Sequence, residues 1–275
     1  MPIVAITREM GSLGKDVADG LGAALGLPVI YHEVIEPTAD RMRVRKSHVK
    51  RLLEGEAGLF ERLTADKTSL SIFSADEILS SALQGRGAII RGWGATHLLR
   101  EVPHAVCVRV CAPLELRRQR MLERLGTAEA AVVAAEIQNN DEAHGAIMRR
   151  HFALQWTDPE NYDVVFNTQR VSIGECVDEV KALVESDEFA ETERARQQLE
   201  DVALAWRVRA ALRLSARTRE ARVAVSAQRG RAILAGVLDT AEQQLAVSEV
   251  AAAVKGVREI DNQVRTTDGL RPRFN

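Results

Sequence analysis

The sequence predicts an α/β protein, a parallel sheet flanked by helices, followed by a smaller α+β unit. Three observations carry this expectation. Short, nearly continuous apolar runs recur at Ile3–Ile6, Val29–Tyr31, Ala88–Ile90, Ala105–Val110 and Val164–Phe166, the pattern of strands buried on both faces. Helical or polar sequence separates each run from the next, as parallel strands require. Beyond Val184 the pattern changes to helix, hairpin, helix and strand.

The elements follow in order. Ile3–Ile6 is the opening strand, and Thr7–Asp16 (T-R-E-M-G-S-L-G-K-D) leads from it into a helix over Asp16–Leu25 that Gly26 and Pro28 stop. Val44–Leu83 reads as successive helices, with Ser74 and Glu77 spaced as a capping box. Leu114–Leu125 is a strongly basic helix, and Thr127–Phe152 is long and mostly helical. Asp158-Pro159-Glu160-Asn161 closes that region before the strand at Tyr162–Phe166, and Ser172–Val184 is again helical. Glu185–Gln198 is polar and charge-rich, suiting a linker or a solvated helix. Val202–Leu214 is an amphipathic helix, Arg222–Ser226 and Ala232–Leu238 form a hairpin about Arg229-Gly230, Thr240–Val254 is a helix, and Val257–Val264 is a third strand. The expected division is residues 1–186, a charged linker at 187–198, a small domain at 199–267 and a tail at 268–275.

Composition narrows the function. The net charge of −2 gives no global reason to expect nucleic acid, although residues 199–275 carry 13 Lys+Arg against 9 Asp+Glu. Cys107, Cys111 and Cys176 are too few and too irregular for a disulfide framework, and the first two suit a packed core. The chain opens on a strand-like run with no signal-peptide pattern, and no run of about 18 apolar residues occurs; the expectation is a soluble cytoplasmic protein.

The loop at Thr7–Asp16 has the order of a phosphate cradle: strand, glycine-punctuated turn, helix with a lysine at its mouth. Gly11 and Gly14 are expected to let the backbone turn its N–H groups inward, where the helix dipole and Lys15 add positive potential. In G-x-x-x-x-G-K-[ST] terms Gly14 and Lys15 fit, Glu9 stands in the first glycine's place, and Asp16 replaces the hydroxyl residue. By itself the loop suits a phosphate site and an ordinary strand–turn–helix connection alike.

Four segments in order are similar to the cytidylate-kinase-like branch of the P-loop nucleoside monophosphate kinases: Ile6–Asp16, I-I-R-G-W-G-A at Ile89–Ala95, V-R-V-C-A-P-L-E-L-R at Val108–Arg117, and W-T-D-P-E-N-Y-D-V-V-F-N-T at Trp156–Thr168. Residues 199–265 resemble a BON domain through Val223–Leu238 and V-K-G-V-R-E-I-D-N at Val254–Asn262. The first resemblance implies a P-loop fold with a helical lid and phosphoryl transfer from ATP, with Mg²⁺, to CMP or dCMP. The acceptor is already an anion, so positioning and charge neutralisation matter more than a base.

That resemblance implies roles for particular residues. Arg8, Gly11, Ser12, Leu13, Gly14, Lys15 and Asp16 would hold the donor phosphates; Arg8 and Glu9 suit equally a local ion pair that shapes the loop. Asp16 is the candidate metal ligand, or else a first-turn carboxylate favoured by the helix dipole. Arg91, Trp93, Asp141 and Arg149 would face the acceptor. Relatives usually carry G-R-G where this chain has Gly92-Trp93-Gly94, so Trp93 suits stacking on a pyrimidine or plain packing. Arg117, Arg120 and Arg124 share a helix face, and Arg117 and Arg120 with Lys15 are the expected catalytic cations; a solvated face pairing with Glu115 and Glu123 is the alternative. His144 stands where the family often has arginine and suits a polar surface or, when protonated, a phosphate contact. The BON-like part implies an anionic membrane surface or a protein partner, and the departures at Glu9, Asp16, Trp93 and His144 leave open a weakened nucleotide sensor.

Overall fold

A computed structural model describes residues 1–31, 34–54, 66–84, 86–92, 94–126, 129–152 and 154–267. These form two compact units, Met1–Ala195 and Arg196–Asn275. Trp93 and the 268–275 tail, both singled out in the sequence, lie outside the described residues.

In the first unit β1 (Ile3–Arg8), β2 (Val29–Ile30), β3 (Ala88–Arg91), β4 (Ala105–Cys111) and β5 (Val164–Asn167) make a fully parallel sheet in the order β2-β3-β1-β4-β5. Between them run α1 (Gly14–Leu25), α2 (Ile35–Met42), α3 (Lys46–Glu54), α4 (Lys67–Leu83), α5 (Ala95–Leu99), α6 (Leu114–Leu125) and α7 (Ala130–Phe152), and α8 (Ile173–Val184) follows β5. Val4, Ile6, Val106, Val108 and Val110 bury against Val17 and Leu21 of α1 and Cys176 and Val180 of α8. Ile3 and Ala5, pointing the other way along β1, are equally sealed, and α4 and α5 pack on the sheet as well. Cover on both faces is why the strands read as unbroken apolar runs rather than alternating ones.

The register fixes where a ligand can sit. Ile6 lies beside Arg91 on β3, and Arg8 beside Val110 on β4. The carboxyl ends of these three central strands therefore open on one edge, the usual ligand crevice of a parallel sheet.

One expected helix signal fails. Ser74 does not begin a helix: it is buried in the middle of α4, whose N-cap is Asp66, accepting from the Ser69 amide at 3.0 Å. Asp66, about two turns upstream, already caps the helix, so the chain is helical by the time it reaches Ser74. Elsewhere the signals hold: Gly26 ends α1 with φ +64°, and Ser172 with Glu175 forms a reciprocal capping box at α8.

The polar stretch at 185–198 contains a 3₁₀ turn at Asp187–Phe189 and the start of α9 (Glu193–Leu214), nine residues before the expected helix start. In the second unit β6 (Val223–Gln228) pairs antiparallel with β7 (Arg231–Leu238), and β8 (Glu259–Thr266) pairs parallel with β7. A parallel partner needs a crossover, and α10 (Ala241–Ala252), boxed by Thr240 and Gln243, supplies it. Leu204, Val208, Leu212, Leu234, Val247 and Val264 form the core. Among the described residues no helix is long and apolar enough to cross a membrane.

Candidate phosphate-binding site

The loop after β1 is a preshaped turn. Gly11 (φ +79°) and Leu13 (φ +63°) take left-handed conformations, and Ser12 N–H donates to the Glu9 carbonyl at 3.1 Å. Alternating backbone handedness of this kind turns successive amides toward one concavity. Gly14 departs from expectation: Leu13, not Gly14, supplies the second left-handed residue. Gly14 is instead required by close approach, because a Cβ there would lie 2.6 Å from the Arg8 Cβ. At Gly11 a Cβ would lie 2.7 Å from the Arg117 carbonyl oxygen, so both glycines are held by neighbours as well as by conformation. Lys15 and Asp16 project outward on the first turn of α1.

Glu9 explains the missing first glycine. Its carboxylate accepts from Arg109 at 2.7 Å, from the Ala112 amide at 3.2 Å, and approaches the Arg117 Nε at 3.4 Å. All three side chains are nearly buried, at 13, 11 and 8% exposure. The local Arg8–Glu9 pair considered from sequence does not form, because two guanidiniums from β4 and α6 already saturate Glu9. Arg109 extends the network to the Thr157 carbonyl at 3.1 Å and lies over the Trp156 ring at 5.3 Å. This residue was overlooked in the sequence, although an arginine inside the apolar run A-V-C-V-R-V-C was itself the signal, since a charge in a buried strand needs a partner.

The basic helix α6 folds against the same loop. Arg117 donates to the Asp141 carboxylate at 2.9 Å and to the Met10 carbonyl at 3.4 Å. Arg120 donates to Thr168, at 2.9 Å on both the hydroxyl and the carbonyl, and to the Gly11 carbonyl at 3.4 Å. Burial raises the Asp141 carboxyl above the usual carboxylate range, with Arg117 opposing. Arg118 pairs with Glu115 at 2.5 Å, whereas Glu123 takes Gln119 rather than an arginine. Arg124 is exposed on the last turn.

On the β3 side lies a cation that makes no ion pair among the described residues, although the Asp19 carboxylate acts on it from farther off. Arg91 is 7% exposed, its guanidinium sits 3.8 Å from the Tyr31 ring centroid, and its buried Nε has no hydrogen-bond partner. Burial disfavours its charge first, and the nearby Arg8 guanidinium next. Arg8 and Lys15 make no hydrogen bond or ion pair among the described residues. The structure thus brings Arg8, Gly11 to Lys15 and Arg91 to one strand-end edge, with Arg117 and Arg120 behind the loop. Arg149 is exposed, and its guanidinium reaches the same point beside Gly145 as the Trp156 indole nitrogen.

His144 is not polar surface. Its ring meets Trp156 edge-on at 4.5 Å and its Nε2 is sealed without a partner. Burial, then Arg8 and Arg109, push it down to about 4, so it is uncharged at neutral pH. Cys107 is buried, with its thiol pushed well up by burial, as suits a packing residue. Among the described residues no cluster of three His, Cys, Asp or Glu could hold a metal.

A model of the cytidylate kinase-like family matches residues 3–170, and a model of the BON domain matches residues 200–268. Among solved structures, an uncharacterized protein from Eubacterium ventriosum is 19% identical with a TM-score of 0.52, over 68% of this chain and 99% of its own. Shikimate kinase from Bacteroides thetaiotaomicron is 16% identical with a TM-score of 0.43, over 67% of this chain and 99% of its own. YorR from Bacillus subtilis, solved with phosphorylated GDP, is 12% identical with a TM-score of 0.41, over 69% and 99%. A comparison with curated proteins finds no match.

Proposed function

The chain belongs to the cytidylate kinase-like family, and on that premise we propose that its first unit transfers a phosphoryl group from ATP to CMP or dCMP in the cytoplasm. The observation that carries this is the positive edge: Arg8 and Lys15 without an ion pair among the described residues, and Arg91 buried with an unpartnered Nε, all beside a loop already turned as an anion nest. Leaving a buried guanidinium nitrogen unpaired is costly unless a ligand completes it.

In this reading the amides of the Gly11–Lys15 turn, apart from that of Ser12, which is bonded to the Glu9 carbonyl, and the Lys15 ammonium hold the donor phosphates, and Arg8 and Arg91 hold the acceptor phosphate. Arg117 and Arg120 serve the transfer by exchanging their Met10 and Gly11 carbonyl partners for phosphate oxygens, which are stronger acceptors. Asp141 and Arg149 flank the acceptor from α7. Asp16, exposed and without an ion pair among the described residues, suits a water-bridged Mg²⁺ arriving with the nucleotide, whose charge would offset that of the polyphosphate. The second unit acts as a binding module for an anionic membrane surface or a protein partner, for which its arginine-rich surface is the support.

A second reading, a nucleotide sensor with little turnover, is favoured by one observation: Glu9 and Asp141 already neutralise Arg117. Purified protein with Mg-ATP and each nucleoside monophosphate separates the two. ADP release dependent on CMP or dCMP supports the kinase, ATP binding without ADP supports the sensor, and neither defeats both. Within the kinase reading, Arg91→Ala is expected to raise the CMP KM roughly 10- to 100-fold, from ~1.5–3 kcal/mol for a charged hydrogen bond, while ATP affinity stays within about twofold. Equal losses for both nucleotides would remove Arg91 from the acceptor side.

A further inference from the structure

We propose that Thr168 is the positioning residue that keeps the phosphate loop shaped while a nucleotide binds. Its hydroxyl holds the Ser12 carbonyl and so turns the Leu13 N–H into the nest. The inference rests on the donor-phosphate half of the reading above and names the side chain that aims those amides.

The loop is held from behind by its carbonyls. Three in succession take side-chain donors: Met10 from Arg117 at 3.4 Å, Gly11 from Arg120 at 3.4 Å, and Ser12 from the Thr168 hydroxyl at 2.9 Å. In a trans peptide the C=O and the N–H point to opposite sides, so a carbonyl held from behind aims the next N–H forward. The Met10 and Ser12 carbonyls in this way aim the Gly11 and Leu13 amides. Neither amide donates to a backbone carbonyl among the described residues, whereas the Ser12 amide between them is bonded to Glu9. The Ser12 hydroxyl does not brace the loop, being buried without a hydrogen-bond partner.

Thr168 differs from the two arginines in having nowhere else to go. It closes the Trp156–Thr168 segment just past β5, where its N–H donates to the Cys111 carbonyl at 3.0 Å, and it is 7% exposed. Its hydroxyl carries one proton. Arg120 donates to the oxygen at 2.9 Å, and the Cys111 carbonyl, 3.4 Å away, already has the Thr168 N–H, so the proton goes to Ser12. The arginine contacts to the loop are long, and in the reading above both guanidiniums leave them for phosphate oxygens. Thr168 stays, because the bond to β4 fixes its backbone and burial fixes its side chain. It therefore holds the Leu13 N–H in place after Arg117 and Arg120 release the loop.

Titration of the full chain with MgATP, followed by backbone amide NMR and calorimetry, tests this. In the wild type the Leu13 amide should be among those that ATP moves. Thr168→Val keeps the shape and removes the donor; it should raise the ATP Kd roughly tenfold and abolish the Leu13 response. Thr168→Ser, which keeps the hydroxyl, should stay within about threefold of the wild type with the response intact. If valine is not tolerated, Thr168→Ala removes the same donor. Arg120→Ala should keep the Leu13 response, since the Ser12 carbonyl retains its donor. A Leu13 amide indifferent to ATP in a wild type that binds it overturns the proposal without any variant. So does a Thr168→Val protein that melts lower yet binds ATP as the wild type does, or a Leu13 response lost in Arg120→Ala. Each of these leaves the kinase reading standing, whereas a wild type that does not bind MgATP overturns both.

Discussion

Replacing Lys15 with alanine is expected to cut CMP-dependent ADP formation by roughly 100- to 1,000-fold, the loss typical of one donor aimed at developing charge. The position makes the experiment clean. Lys15 is exposed on the first turn of α1, and truncating it removes no hydrogen bond or ion pair among the described residues. Thermal stability should therefore stay within ~0.5 kcal/mol of the wild type, the range of ordinary surface substitutions. A loss of activity with an unchanged melting curve assigns the effect to charge on the nucleotide. Activity within tenfold of wild type would mean that the loop amides alone hold the donor, and Lys15 would lose its place in the mechanism.

The second large effect is expected at Glu9, and in stability rather than rate. Removing this carboxylate takes the ion-pair partner from the nearly buried Arg109 and leaves Arg117 with Asp141 alone, at a cost of about 3–5 kcal/mol. For a unit of this size that corresponds to a fall in Tm of roughly 6–20 °C, readable by calorimetry. Glu9→Gln and Glu9→Ala should both show it. So should Glu9→Gly, although that change restores the glycine of the common phosphate-loop signature. If Glu9→Gly were instead neutral or stabilising, the clamp would be decorative, and Arg109 and Arg117 would have found other partners.

The parallel sheet was legible because burial on both faces leaves an unmistakable mark, and each expected strand matches one of β1 to β5 within a few residues. The helix stop at Gly26 was equally plain. What stayed hidden depends on contacts between distant residues. The Ser74–Glu77 spacing imitated a cap because the pattern is local, whereas Asp66 had already taken that function. Gly14 looked like a turn residue, but the pressure on it comes from the Arg8 side chain across the strand end. The parallel β7–β8 pairing is likewise invisible in a hairpin-like sequence. At the site, Gly11, Lys15 and Arg91 could be picked from motifs. The Glu9–Arg109–Arg117 network could not, since its members are about 100 positions apart and only the β1–β4 register makes them neighbours.

The indole of Trp156 sits against His144 on one side and beneath Arg109 on the other. Imidazolium quenches indole emission far more than neutral imidazole does, so this corner carries its own optical gauge. Of the three tryptophans, Trp206 belongs to the second unit, where it lies under Arg209. Any change of charge at this corner can thus be followed in a stopped-flow cuvette with no label attached, turning a packing detail into a gauge of events at the loop.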